Sequence, residues 1–239
     1  MNNRATNNGL VWFDEPAPQR ASEPLNRERI VAAATELADR EPSGEITMRT
    51  LAAKLGVRSP MALYRYVGSK DGLADLMADQ VFGQLTVARG EGWRPALRSL
   101  GTSGWTAVQR HPWFARLAFS RPPLGPNALA VYDAALAELD PLALPAATRM
   151  GFVNTVLGHV FGSGLALLEE RTMRAGVGVT SDEELAASAA PFLERITSSG
   201  RYPHFSRWVT DPTRHDPQPQ TFEAILEWLL DGLATLLTD

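Results

Sequence analysis

The chain has 239 residues, 44% hydrophobic and 21% charged, with a formal net charge of -4. That is enough apolar content for a sizeable core, and enough length for one large domain or a small domain plus a larger one. It contains no cysteine, which excludes disulfides and thiolate metal sites. Charge is unevenly spread. From Ile46 to Lys70 there are five basic residues (Arg49, Lys54, Arg58, Arg65, Lys70) and no acidic one, while the remainder, with 18 basic and 27 acidic residues, sums to -9. A basic segment on an acidic chain points to a polyanion partner at that one place.

In chain order, residues 1–24 come first. They are polar and Pro-rich, without the basic start and apolar run of a signal peptide. The expectation is a disordered tail and a cytoplasmic protein. The apolar island Leu10-Val11-Trp12-Phe13 offers the alternative, an arm docked on the folded body or on DNA. Asn26 caps a first helix, with Glu28 in its first turn and Ile30, Ala34, Leu37 and Ala38 at helical spacing. Pro42-Ser43-Gly44 stops it. A second short helix starts at Thr47, buries Leu51, Ala52 and Leu55, and ends at Gly56. Ser59-Pro60 opens a third helix, whose apolar side is Leu63 and Val67. Ser69 caps a fourth, expected over 69–89. Further helices are expected over 93–110, to about 119, over 127–139, 145–171, 181–196 and 221–238. Residues 199–220, rich in Pro and Gly, read as an irregular loop. The stretch 151–168 is apolar enough to suggest a membrane span by length. However, Asn154, Thr155, His159 and Ser163 interrupt it, and no flanking positive cluster orients it, so it reads as a buried helix of a soluble domain with no membrane partner.

Two short helices joined at Gly56-Val57-Arg58 have the proportions of a helix-turn-helix. In the third helix Arg58, Met61, Ala62 and Arg65 can face outward while Leu63 and Val67 face the core. The start of such a helix reads base edges. Here Ser59, Pro60, Met61 and Ala62 suit thymine methyls better than guanine. Arg49 is placed to reach a base or a phosphate, and Tyr64, Tyr66 and Lys70 are natural phosphate contacts.

The blocks Leu25–Ala34, Ile46–Ala52, Leu55-Gly56-Val57, Leu63–Val67 and Ser69–Leu73 together resemble the DNA-binding domain of the TetR family. His111-Pro112-Trp113, Arg121–Asn127 and Phe222–Leu233 are similar to its tetracycline-repressor-type effector domain. The resemblance implies an all-α protein: a three-helix DNA-binding domain (25–72) and a larger helical ligand-binding and dimerisation domain (73–239). It also implies DNA contacts by Thr47, Arg49, Pro60, Met61, Tyr64, Tyr66 and Lys70. Five residues separate Val57 from Leu63, one more than the family pattern. A homodimeric repressor would then read a palindromic operator in double-stranded DNA and be released by a small-molecule effector; the alternatives are a transcriptional regulator without small-ligand response, or a helical small-molecule-binding module.

Helix 145–171 is the expected wall of an effector cavity, with Arg149, Phe152, Asn154 and His159, and with Trp105, Phe114 and Phe119 completing the lining. For each residue alone a satisfied core role is the plainer reading. The last helix has more apolar positions than one face needs, so Phe222, Leu226, Leu229, Leu230, Leu233 and Leu237 are expected at a dimer interface, in a four-helix bundle about a two-fold axis. No nucleophile elbow, H-E-x-x-H, P-loop or dinucleotide fingerprint occurs, and the four histidines lack metal-ligand spacing. No enzyme activity, metal or cofactor is expected.

Overall fold

A computed structural model describes residues 11–13, 25–41, 45–215 and 221–237, and every regular element among them is helical. The order is α1 (Arg27–Arg40), α2 (Met48–Lys54), α3 (Met61–Val67), α4 (Lys70–Phe82), α5 (Trp93–Arg110), α6 (Trp113–Ser120), α7 (Pro126–Leu139), α8 (Ala146–Val177), α9 (Asp182–Ser198), α10 (Pro203–Thr210) and α11 (Phe222–Thr235). The expected break at 42–44 lies outside the described residues, as do 1–10 and 14–24 of the tail.

Local chemistry sets the helix starts. The Asn26 carboxamide accepts from the Arg29 amide at 2.8 Å. Thr47 and Thr50 form a reciprocal capping box, and Ser69 Oγ accepts from the Gly72 amide at 2.8 Å. Each satisfies a donor that the first helical turn leaves over.

Four expectations are corrected. Helix α4 ends at Phe82, not near 89. The Ser99 and Ser103 hydroxyls of α5 accept the Ala88 and Thr86 amides at 2.7 and 2.9 Å, and so hold the following segment extended. Helix α8 continues to Val177, past the expected end at 171. Within the expected irregular loop 199–220, Pro203 occupies the first helical position of α10, where its fixed φ starts a helix instead of breaking one. In the tail, Val11–Phe13 forms a short 3-10 turn. Val11 is buried, and its Cβ lies against the place where a Gly72 side chain would begin. Trp12 packs beside the loop that follows α6. At this island, the docked arm replaces the disordered tail.

The centre of the molecule is α8 packed on α5 and α6. Gly164 brings the α8 backbone so near Val108 that a Cβ there would sit 2.8 Å from the Val108 side chain. Phe152, Val153, Val156, Leu157, Val160, Phe161 and Leu168 are buried. The inward side of the one described helix long and apolar enough to cross a membrane is therefore used by the chain's own core. Phe82, Phe114 and Phe161 meet edge to face at 5.0–6.1 Å, the arrangement ring quadrupoles favour.

Helices α9 and α10 differ. They pack chiefly on each other, bury no residue, and leave Phe192, Tyr202, Phe205 and Trp208 exposed.

Candidate DNA-binding face and effector cavity

Helices α1–α3 form a small bundle over Ile30, Ala34, Leu51, Leu63 and Val67, all buried. Gly56, at φ +69, turns the chain between α2 and α3, and the Val57 amide closes the turn on the Ala52 carbonyl at 2.9 Å. The extra residue is absorbed before α3: Ser59 and Pro60 lie outside the helix, and Ser59 Oγ accepts from the Met61 amide at 3.3 Å. Arg27 Nε donates to the Tyr66 carbonyl at 3.0 Å, which fixes α3 on α1.

The outward side of this bundle carries Thr47, Arg49, Arg58, Ser59, Met61, Arg65 and Lys70 exposed, with Pro60, Ala62, Tyr64 and Tyr66 half-buried at its edge. Every residue expected at DNA is thus exposed or half-buried. Met61 is 70% exposed, a cost for an apolar side chain unless a partner covers it. Arg65 lies over the Tyr66 ring at 5.5 Å. No carboxylate among the described residues pairs with Arg49, Arg58, Arg65 or Lys70. Lys54 is different, bonding Glu36 at 2.8 Å.

Helix α4 runs from this face into the larger domain, where acidic side chains hold it. Asp79 Oδ1 accepts from the Ala128 amide at 2.9 Å, and its Oδ2 accepts from Asn127 Nδ2 at 3.0 Å. A Cβ on Gly125 would run into the same carboxylate. Asp75, buried, pairs with Arg121, which also reaches Asp71 at 3.3 Å. A second tie joins α1 to the α5–α6 junction. Asp39 Oδ1 accepts from Trp113 Nε1 at 2.7 Å and from His111 Nδ1 at 2.8 Å. With that nitrogen protonated, His111 Nε2 can accept from Gln84, 3.3 Å away.

The seven residues expected to line one cavity are not gathered around one void. Trp105 and His159 both stack on the Phe222 ring, at 4.7 and 4.3 Å. His159 Nε2 also donates to the Phe222 carbonyl at 3.2 Å, a satisfied group. Phe114 and Phe119 pack on Phe161, and Phe152 packs on Trp93. Arg149 pairs with Asp140. Only Asn154 faces the large open cavity, of about 900 Å³, between α7 and α8. The rest of its lining was missed: Pro123, Pro126, Leu129, Ala130, Tyr132, Asp133, Leu136 and Met150. The available signal was the spacing Leu129, Asp133, Leu136, one helical stripe of α7 following a Pro-rich break.

The dimer expectation also changes. Phe222, Leu226, Leu230 and Leu233 are buried against their own subunit, because they form the stripe of α11 that packs on α5 and α8. Leu229 and Leu237 are half-buried. The open apolar positions are Trp228, 57% exposed, and Leu236, 55% exposed. On α5, Arg94 and Arg98 hold α11 through Glu227, at 2.9 and 2.5 Å, and Asp231, at 2.6 Å. The two guanidiniums hold the Glu227 carboxyl down to about 2.

Residues 87–237 match the domain described as "Tetracyclin repressor-like, C-terminal domain". The chain belongs to the TetR family. It is 33% identical over 232 residues to the HTH-type transcriptional repressor DrrR1 of Streptomyces coeruleorubidus, spanning 95% of this chain and 84% of that protein. The fold is shared with apo ActR of Streptomyces coelicolor at a TM-score of 0.72, with 24% identity over 91% of this chain and all of that one. ActR in complex with (S)-DNPA aligns at 0.68 with 25% identity, covering 88% and 98%. As a TetR-family protein, this chain is a transcriptional regulator of the helix-turn-helix kind.

Proposed function

We propose that this TetR-family regulator is a homodimeric repressor that grips a palindromic operator through α2, α3 and the start of α4, and releases it when a small molecule enters the α7–α8 cavity. The observation that carries the DNA reading is the set of exposed cations Arg49 on α2, Arg58 in the turn, Arg65 on α3 and Lys70 at the start of α4, none of them paired with a carboxylate among the described residues. Phosphate contacts from such a set position the protein, and the residues near Met61 read the base edges. The work of the protein is binding, without a catalytic step, and its place is the compartment that holds the DNA.

A repressor so named is the relative DrrR1, and ActR is a TetR-family protein solved with a small molecule bound. Both support the effector-released reading. The dimer reading is supported by the outward side of α8, where Gly151, Gly158 and Gly162 have no atom near a built Cβ. It is further supported by exposed Trp228 and Leu236 on α11, and by the uncovered aromatic side of α9–α10. In a two-fold dimer these surfaces would cover one another.

Release needs an effector that binds one arrangement of the dimer better than the other. Helix α4 is the element that both sites can bias, since it starts at Lys70 and is clamped by Asp75 to Arg121 and by Asp79 to the start of α7. The test is selection of bound fragments from genomic DNA. The wild-type protein should enrich one inverted repeat, and Arg49→Ala/Tyr64→Ala should enrich none. Equal enrichment by both proteins would remove this face from DNA recognition.

A further inference from the structure

We propose that the α7–α8 cavity selects an apolar, multi-ring effector that carries a positive charge, with Asp133 as its anchoring anion. The cavity must be the effector site for this to hold. At about 900 Å³ it is large enough for several fused or linked rings. Pro123, Pro126, Leu129, Ala130, Leu136 and Met150 give it mainly apolar walls.

Against that background stands one ionisable acid. Asp133, exposed, shares a helical stripe of α7 with Leu129, 51% exposed, and half-buried Leu136, so a ligand lying along the stripe would meet its carboxylate. Several other acids of this domain meet a cation: Glu227 and Asp231 meet Arg94, Asp75 meets Arg121 and Asp140 meets Arg149. Asp133 pairs with no cation among the described residues, and no Lys or Arg lines the cavity.

When a ligand fills the space and expels water, a lone carboxylate loses hydration that apolar walls cannot replace. A ligand cation restores it. An anion would instead place a like charge beside Asp133. The other polar groups suit orientation rather than charge. Burial pushes the Tyr132 hydroxyl above its ordinary range, so it stays a neutral donor or acceptor, and Asn154 offers an amide.

The test uses two three-ring probes of opposite charge, 9-aminoacridine (a cation at neutral pH) and 9-anthracenecarboxylate (an anion). Each is titrated into the full-length protein without DNA and followed by fluorescence. The wild type should bind the cation at least tenfold tighter than the anion. Asp133→Asn should lose most of that preference, whereas Glu169→Gln, a carboxylate outside the cavity, should keep it. Leu129→Trp should weaken both probes by filling the space. Equal binding of the two probes, or an Asp133→Asn variant that keeps the preference, would overturn the proposal. So would an Asp133→Asn variant that sediments as a weaker dimer, since the acid would then serve a second copy of the chain. Operator binding by the same wild-type sample separates the two readings. If operator binding persists without a charge preference, only the effector class fails. If no DNA is bound, the regulator reading fails as well.

Discussion

Two sets of cations, one in each of the regions joined by α4, are used in opposite ways. In the larger domain Arg94, Arg98, Arg116, Arg121, Arg149 and Arg174 each meet a carboxylate. On the outer face of the small bundle Arg49, Arg58, Arg65 and Lys70 meet none among the described residues. The first pattern tethers helices to one another; the second leaves charge free for a partner that brings its own anions. A net charge of -4 hides this difference, and the local pairing reveals it.

If the acids that hold α4 and α11 are structural, removing one should cost stability and leave the DNA chemistry intact. The largest such effect is expected at Asp79. Asp79→Ala leaves the buried Ala128 amide without its acceptor, which costs about 1–3 kcal/mol. Thermal unfolding should show it as a lower midpoint, and hydrogen exchange should quicken at 125–130. Trp12→Ala should cost less, about 1 kcal/mol for a half-buried ring. Its exchange signature should fall on α4 and on the loop at 121–125, where Trp12 packs. An unchanged exchange pattern there would undo the docking of the N-terminal island.

The smallest effect concerns Glu227. Its carboxyl is held at about 2 in the folded protein, below the unfolded value near 4.3. A depressed acid stabilises the fold above the unfolded value, and that contribution fades as pH falls from about 4 towards 2. The side chain is 39% exposed, so solvent screening limits the gain to below about 1 kcal/mol. Glu227→Gln should lower stability slightly at pH 7 and flatten the acid limb of a stability–pH curve. An equal acid limb in wild type and variant would move the acid sensitivity elsewhere.

The same contrast explains what the sequence disclosed. The proposed DNA face lies on α2, α3 and the start of α4, consecutive in the chain, so caps at Thr47 and Ser69 and the spacing of Leu63 and Val67 were enough to say which residues are exposed. The cavity comes from packing between α7, α8 and the loop at 121–126, which helical spacing within one segment does not reveal. Large aromatics were expected to line it, yet Phe114 and Phe152 are spent on the core. The apolar stripe of α11 was legible as a stripe, but not its direction. Both an inward and an outward packing of Leu226 and Leu230 satisfy the same period, and only the position of α5 and α8 decides between them. Val11 illustrates the same limit: nothing local tells an island in a polar tail that it will meet Gly72.

The most direct test of the central claim is the salt dependence of binding to the selected operator, read by fluorescence anisotropy for wild type, Arg49→Ala, Lys70→Ala and Arg116→Ala. Removing one phosphate-binding cation should lower the log–log slope by roughly one. The account predicts that decrease for Arg49→Ala and Lys70→Ala, and an unchanged slope for Arg116→Ala, whose cation is already paired. A wild-type slope near zero, or one that Arg49→Ala and Lys70→Ala leave intact, would contradict it.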